Sequence, residues 1–204
     1  MENNDVYQKY IKYKNKYYDL IKKRLQKSIG PHQVNDFFFL TIPKGHPDAG
    51  KEVPIDYKLR NIILYFWDKG LITLGSDQGG DFLDCFSAGF ISFANKNINS
   101  NDTLDILKNL LVKKFGDNNI KVKNMNFTHR TEKEIIKKLS EHKQFLEKFF
   151  KKNPHKILLE FYPNFISMSF KSEMIYEIHN KLNIKFPDYN KRCPGYLIPY
   201  VIPK

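Results

Sequence analysis

Residues 76–93 read S-D-Q-G-G-D-F-L-D-C-F-S-A-G-F-I-S-F, a stretch that gathers side chains able to do chemistry. Asp77, Asp81 and Asp84 could converge on a hard cation, which takes several carboxylate oxygens, although their spacing matches no calcium loop. Ser76 and Cys85 are candidate nucleophiles, and a nucleophile needs a positioned base. No histidine is a sequence neighbour, so His46, His129 or His179 would have to approach through the fold. A hairpin or long connection accounts for the same residues: glycines permit positive φ, and aspartates keep a connection hydrated. The simpler reading is the connection, with Ser76, Asp77, Asp81 and Asp84 kept as the place to look for a catalytic pocket.

A second segment, G-H-P-D-A-G-K-E at residues 45–52, fits G-x-x-x-x-G-K and follows an apolar run, as a phosphate-binding loop does. Glu52 stands where a Ser or Thr should offer a hydroxyl to magnesium. Pro54 and a helix cap at Asp56 move the helix start away from Lys51, and the helix N-terminus is half of such a site. The segment therefore reads as a Pro/Gly surface loop. No cofactor is expected. Cys85 and Cys193 match no zinc spacing, so no metal site is expected and two reduced thiols are.

The net charge of +12 points toward an anionic partner. Residues 1–30 carry 8 basic and 3 acidic groups, residues 31–100 carry 6 and 8, and residues 101–204 carry 20 and 11. The ends are basic and the middle is not. Lysine outnumbers arginine 30 to 4, and lysine is a hydrated point charge rather than a fork for phosphate. With abundant Asn, Ile, Phe and Tyr, this matches an A+T-rich coding sequence, which supplies part of the charge. The nucleic-acid contact candidates are Lys22, Lys23 and Arg24 in K-K-R, and Arg130, Lys133 and Lys137 in R-T-E-K-E-I-I-K-K. The segment F-F-K-K-N-P-H-K at residues 149–156 could join them. Glutamates interleave along residues 131–152, a pattern common on a solvated face.

The elements that must position these groups follow from periodicity. Residues 5–27 read as a tyrosine-rich basic helix ended by Gly30-Pro31. Residues 37–42 read as a buried strand and 43–54 as a loop. A helix runs from Asp56 to Lys69, and strands follow at 71–74 and 89–94. A helix capped near residues 100–102 ends at Gly116, and a strand follows at 120–125. A long helix from Thr131 ends at Asn153-Pro154. Strands at 157–161 and 165–170 flank a tight Y-P-N turn, Ser172 caps a last helix, and a Pro-rich strap closes the chain. This is α+β: an antiparallel or mixed sheet with helices on one face, in ferredoxin-like or duplicated βαββα order, after an N-terminal helix. Residues 1–30 form the helix, 31–125 a first unit and 126–204 a second, with 31–204 one domain. No apolar run approaches the roughly 20 residues of a membrane span, and the charged N-terminus is not a secretory signal.

Two resemblances bear on function. G-F-I-S-F (residues 89–93) resembles the end of the longer ribonucleoprotein motif of RNA-recognition domains, and F-F-F-L-T-I-P (residues 37–43) the shorter one. That resemblance implies that Phe38 and Phe90 stack on bases. Phe86 stands where the family carries Lys or Arg, and Ala88 where it carries a second stacking aromatic. Residues 31–125 hold 11 basic and 11 acidic groups, so the unit has no net pull on phosphate. The segment Y-I-K-Y-K-N-K-Y-Y-D-L-I-K-K at residues 10–23 lies within the tyrosine-rich helix read at residues 5–27. It resembles the N-termini of proteins of giant nucleocytoplasmic DNA viruses related to mimivirus. That resemblance implies a viral protein of the host cytoplasm, in a virus factory, or of the virion. The function expected is a non-enzymatic interaction protein, working through its basic terminal regions on nucleic acid or another viral protein. The alternatives are an enzyme with a site in residues 76–84, and a structural or virion component that self-associates through residues 5–27.

Overall fold

A computed structural model describes residues 32–33, 37–46, 48–79, 88–97, 99, 102–125, 132–188 and 197–198. The fold is mixed α+β. Strand β1 (His32–Gln33) pairs antiparallel with β9 (Leu197–Ile198). Strands β2 (Phe37–Thr41) and β3 (Glu52–Asp56) form a separate antiparallel hairpin. The main sheet holds β4 (Thr73–Asp77), β5 (Ala88–Ala94), β6 (Ile120–Asn124), β7 (Ile157–Phe161) and β8 (Phe165–Lys171) in the order β4-β5-β8-β7-β6. Its pairs are antiparallel except β6 with β7, which is parallel.

Helix α1 (Arg60–Asp68) follows a 3-10 turn after β3, and α2 (Thr103–Phe115) joins β5 to β6. Helix α3 (Glu132–Lys152) is the crossover between the parallel strands β6 and β7, and α4 (Ile175–Leu182) follows β8 through another 3-10 turn. A parallel pair requires such a crossover. Asp102 caps α2 by accepting from the Leu104 N–H at 2.9 Å. Asn183, left-handed at φ 58°, ends α4. No described helix is long and apolar enough to cross a membrane.

Successive strand residues face opposite sides of a sheet, so each strand contributes two sets of side chains. One face carries Ile91, Phe93, Ile157, Leu159, Ile166, Met168 and Phe170, all with essentially no exposure. Against it pack Ile62, Ile63 and Phe66 of α1, Leu107 and Leu111 of α2, and Ile175 and Ile178 of α4. Leu40, Ile42 and Ile55 of the β2–β3 hairpin join the same core. The expectation of helices on one face therefore holds for α1, α2 and α4. Helix α3 lies on the other face, where Leu146 and Phe150 cover Leu158 and Ala88.

Three local expectations change. Residues 52–54, read as the end of a Pro/Gly loop over 43–54, belong to strand β3 (Glu52–Asp56), with Pro54 opposite Phe39. Asp56 does not cap α1; its Oδ2 accepts from the Gln78 N–H at 2.8 Å, tying the hairpin to the end of β4. Strand β4 begins at Thr73 and takes in Ser76 and Asp77, where the sequence reading ended it at Leu74. Beyond α4, the segment 184–188 runs over the helices. The Phe186 ring stacks on Tyr176 at 4.6 Å, and the Lys185 carbonyl accepts from Asn61.

Candidate functional site

Ser76 and Asp77 are strand residues, opposite Ile91 and Phe90. Asp77 Oδ1 accepts from the Gly79 N–H at 2.7 Å, and Gln78, buried, accepts through Oε1 from the Lys58 N–H at 3.4 Å. Gly79 has φ 71°, and a Cβ there would lie 2.5 Å from the Ala88 carbonyl carbon. The carboxylates of Asp56 and Asp77 thus hold backbone at a close crossing of chains. Asp81, Asp84 and Cys85 lie outside the described residues, as do Cys193, His129, Lys22, Lys23, Arg24 and Arg130. Among the described residues, no group of three His, Cys, Asp or Glu could hold a metal ion.

The other histidines named from sequence brace backbone. His46 Nε2 donates to the Thr73 carbonyl at 2.9 Å while Nδ1 accepts from the Asp48 N–H. His179 Nε2 lies 2.9 Å from the Lys58 carbonyl, and its ring packs on Phe186. Residues 45–51 of that segment lie in the β2–β3 hairpin loop and Glu52 opens strand β3, so a strand and not a helix follows Lys51. Phe38 is buried under the Arg60 guanidinium, 5.1 Å from its ring centroid. It sits in the β2–β3 hairpin while Phe90 sits in the five-stranded sheet, so the two rings do not form one stacking surface.

Helix α3 gathers a different set. Its N-terminal half has mixed charge: Lys137 and Lys138 share Glu141, at 4.0 and 3.0 Å. Lys133 lies in the same half, its side chain outside the described set. In the C-terminal half, Lys143, Lys148, Lys151 and Lys152 face a single glutamate, Glu147. Leu146 and Phe150 point into the sheet, so Phe145 and Phe149, one position earlier in each turn, sit half-buried on the flank. Their ring centroids are 6.0 Å apart. Lys148 and Lys152 follow at the same one-turn spacing. Lys123, from the neighbouring strand β6, places its ammonium 3.5 Å from the Phe145 ring centroid, a cation–π contact.

Together Glu141, Gln144, Phe145, Lys148, Phe149, Lys152 and Asn153 line a groove of about 430 Å³. Asn153 closes the helix: its N–H and its Nδ2 each donate to the Phe149 carbonyl at 2.9 Å. Lysine stems lie along apolar surface and leave the ammonium in water, so such a groove is apolar at its floor and positive at its rim.

Beneath α3 sits a buried ion-pair candidate absent from the sequence reading. Strand register sets Lys123, Glu160, Ser167 and Ser92 in one row across β6, β7, β8 and β5. Glu160 has no exposure, and His142 Nε2 reaches both its oxygens, at 2.9 and 2.8 Å. The His142 ring stacks on Phe145 at 6.2 Å. The pair therefore fixes the helix turn that carries the first groove ring. One sequence signal for it existed: a lone charge in the apolar strand I-L-L-E-F. No protein-family model, no curated protein and no solved structure matches the chain.

Proposed function

We propose that this chain is a non-enzymatic interaction protein that binds nucleic acid through its basic C-terminal region, with the α3 groove as the contact surface. The observation that carries the reading is the pairing of Lys148 and Lys152 with two half-buried rings in one groove, with Lys123 beside them. Phosphate neutralisation by lysine supplies most sequence-independent affinity for nucleic acid. Among the described residues Lys148 and Lys152 form no ion pair, so their charge is available to a ligand. The N-terminal basic helix proposed for residues 5–27 would add charge, and its resemblance to giant-virus N-termini supports a viral protein of the cytoplasmic factory or virion.

The duplicated βαββα order belongs to the same proposal. The hairpins β4–β5 and β7–β8 meet at β5 and β8, as two related units would place them, although among the described residues β6 has no counterpart beside β4 and α3 packs on the face opposite α1.

The test is binding of labelled DNA and RNA by the full chain across a salt series. The logarithm of affinity should fall linearly with the logarithm of salt, by roughly 0.7–0.9 for each phosphate neutralised. The double variant K148E/K152E should weaken binding and flatten the slope. A flat salt response in the unaltered protein overturns the reading.

A further inference from the structure

Each turn of α3 across the groove supplies one ring and one ammonium: Phe145 with Lys148, then Phe149 with Lys152. Four residues of α-helix rise about 6 Å, and the two ring centroids are 6.0 Å apart. A repeat of one flat apolar group and one cation is the complement of a single nucleic-acid strand, whose repeat is one base and one phosphate. We infer that the groove is a single-strand site, with Phe149 as the stacking platform for one base and Lys148 and Lys152 on the phosphates that flank it. This rests on the nucleic-acid reading above and sharpens it to a ligand class.

The two rings are not equivalent. Lys123 occupies a face of Phe145, and His142 packs on the same ring, so Phe145 is held in place and flanks the site. Phe149 meets Phe145 tilted and Phe150 edge-on at 5.1 Å, which leaves it half-buried beside the lysines. Gln144 lines the groove with an amide that suits a base edge, while the Asn153 amide is held by the Phe149 carbonyl and the Glu141 carboxylate by Lys137 and Lys138. Aromatic stacking tolerates any base, so the site has little sequence preference. A duplex keeps its base faces stacked on one another and could use only the lysines. An acidic peptide would also meet the lysines, but it carries no obligatory flat group for each charge. The Phe149 ring set beside Lys148 and Lys152 therefore favours the strand.

The experiment uses the full chain with four probes: a thymidine oligonucleotide, the same backbone without bases, a duplex of equal length, and heparin. The oligonucleotide should bind tightest. Phe149→Leu, which keeps an apolar side chain but removes the ring, should weaken oligonucleotide binding about 5- to 150-fold, the worth of one base stack. It should leave heparin binding unchanged. Phe149→Tyr should restore the oligonucleotide affinity, which separates stacking from any loss of folding. Lys152→Gln should weaken all four probes. If the duplex or the base-free backbone binds as tightly as the oligonucleotide, or Phe149→Leu leaves it unaffected, the single-strand inference falls while salt-dependent binding survives. Better binding of a glutamate-rich peptide than of the oligonucleotide also overturns it. Loss of salt-dependent binding to every nucleic acid removes the broader reading as well.

Discussion

Under α1, α2 and α4 the five-stranded sheet presents Ile91, Phe93, Leu159, Ile166, Met168 and Phe170; under α3 the same strands present Ser92, Glu160, Ser167 and Ser169. The first face is a continuous apolar core shared by three helices and the β2–β3 hairpin. Among the described residues, the second buries Leu146, Phe150, Leu158 and Ala88 as a cluster, and His142 on Glu160 ties α3 to the sheet beside it. Burial of apolar area is non-directional and grows with area, so the first face supplies most of the fold's stability. The hydrogen bonding between His142 and Glu160 is directional and so sets the position of α3. Among the described residues, the helix with the smaller apolar footing is the one that exposes a lined groove on its outer flank, a division of labour between holding the fold and presenting a surface.

Deleting the Phe170 ring on the first face tests that contrast with the largest expected effect. Phe170→Ala should cost about 3–5 kcal/mol in urea unfolding, the usual cost of an aromatic cavity in a packed core. Ser169→Ala, the next residue but on the other face, removes only a buried hydroxyl and should cost about 1 kcal/mol or less, the net worth of one hydrogen bond. Equal losses at the two positions would show that the faces do not differ as their side chains imply.

His142→Ala probes how α3 is held. Removing the imidazole leaves the Glu160 carboxylate buried without its partner, which costs about 2–4 kcal/mol for a site of this burial. Glu160→Gln removes the charge, so the His142→Ala change should cost less in that background. A double-mutant cycle by urea unfolding should therefore show coupling of about 1–3 kcal/mol. Additive losses would mean that the two side chains hold α3 independently.

The legible parts of this molecule were those whose signal is local. The helices and the strands β7 and β8 announce themselves because apolar residues recur at the helix or strand period, as in I-L-L-E-F and F-I-S-M-S-F. Strand β3 was hidden because Pro54 cannot donate to a ladder, yet a strand paired on one side tolerates it. Strand β4 was displaced because Leu71 and Ile72 are buried ahead of it while the polar G-S-D does the pairing. Asp56 and Asp77 satisfy the backbone just beyond that strand, so the described part of the run, residues 76–79, is a structural joint, while Asp81 and Asp84 lie outside the described residues. The groove was half legible: the sequence reading noted the basic segment at residues 149–156. It could not see which lysines α3 sets beside rings, nor that Lys123 arrives from another strand. The His142–Glu160 pair spans 18 positions and exists only once α3 crosses the sheet.

A second ion pair, in the β2–β3 loop, sharpens what burial adds to the first. Lys51 bonds Asp48, with the side chains 70% and 50% exposed, and this hydrogen bond holds the Asp48 carboxyl below its ordinary value of 3.8. Burial opposes the shift, and the charges of Lys51 and His46 add to it. A carboxyl lowered in the folded state adds stability above pH 3.8, and that stability is lost as pH falls through the lower folded value. Lys51→Met should therefore move the Asp48 titration upward by NMR, toward 3.8, and leave urea unfolding at pH 7 almost unchanged, because water screens an exposed pair. An unmoved titration would show that Lys51 is not the cause of the shift. A large loss of stability at pH 7 would break the contrast with His142 and Glu160, since exposure would no longer separate a pair that matters to the fold from one that does not.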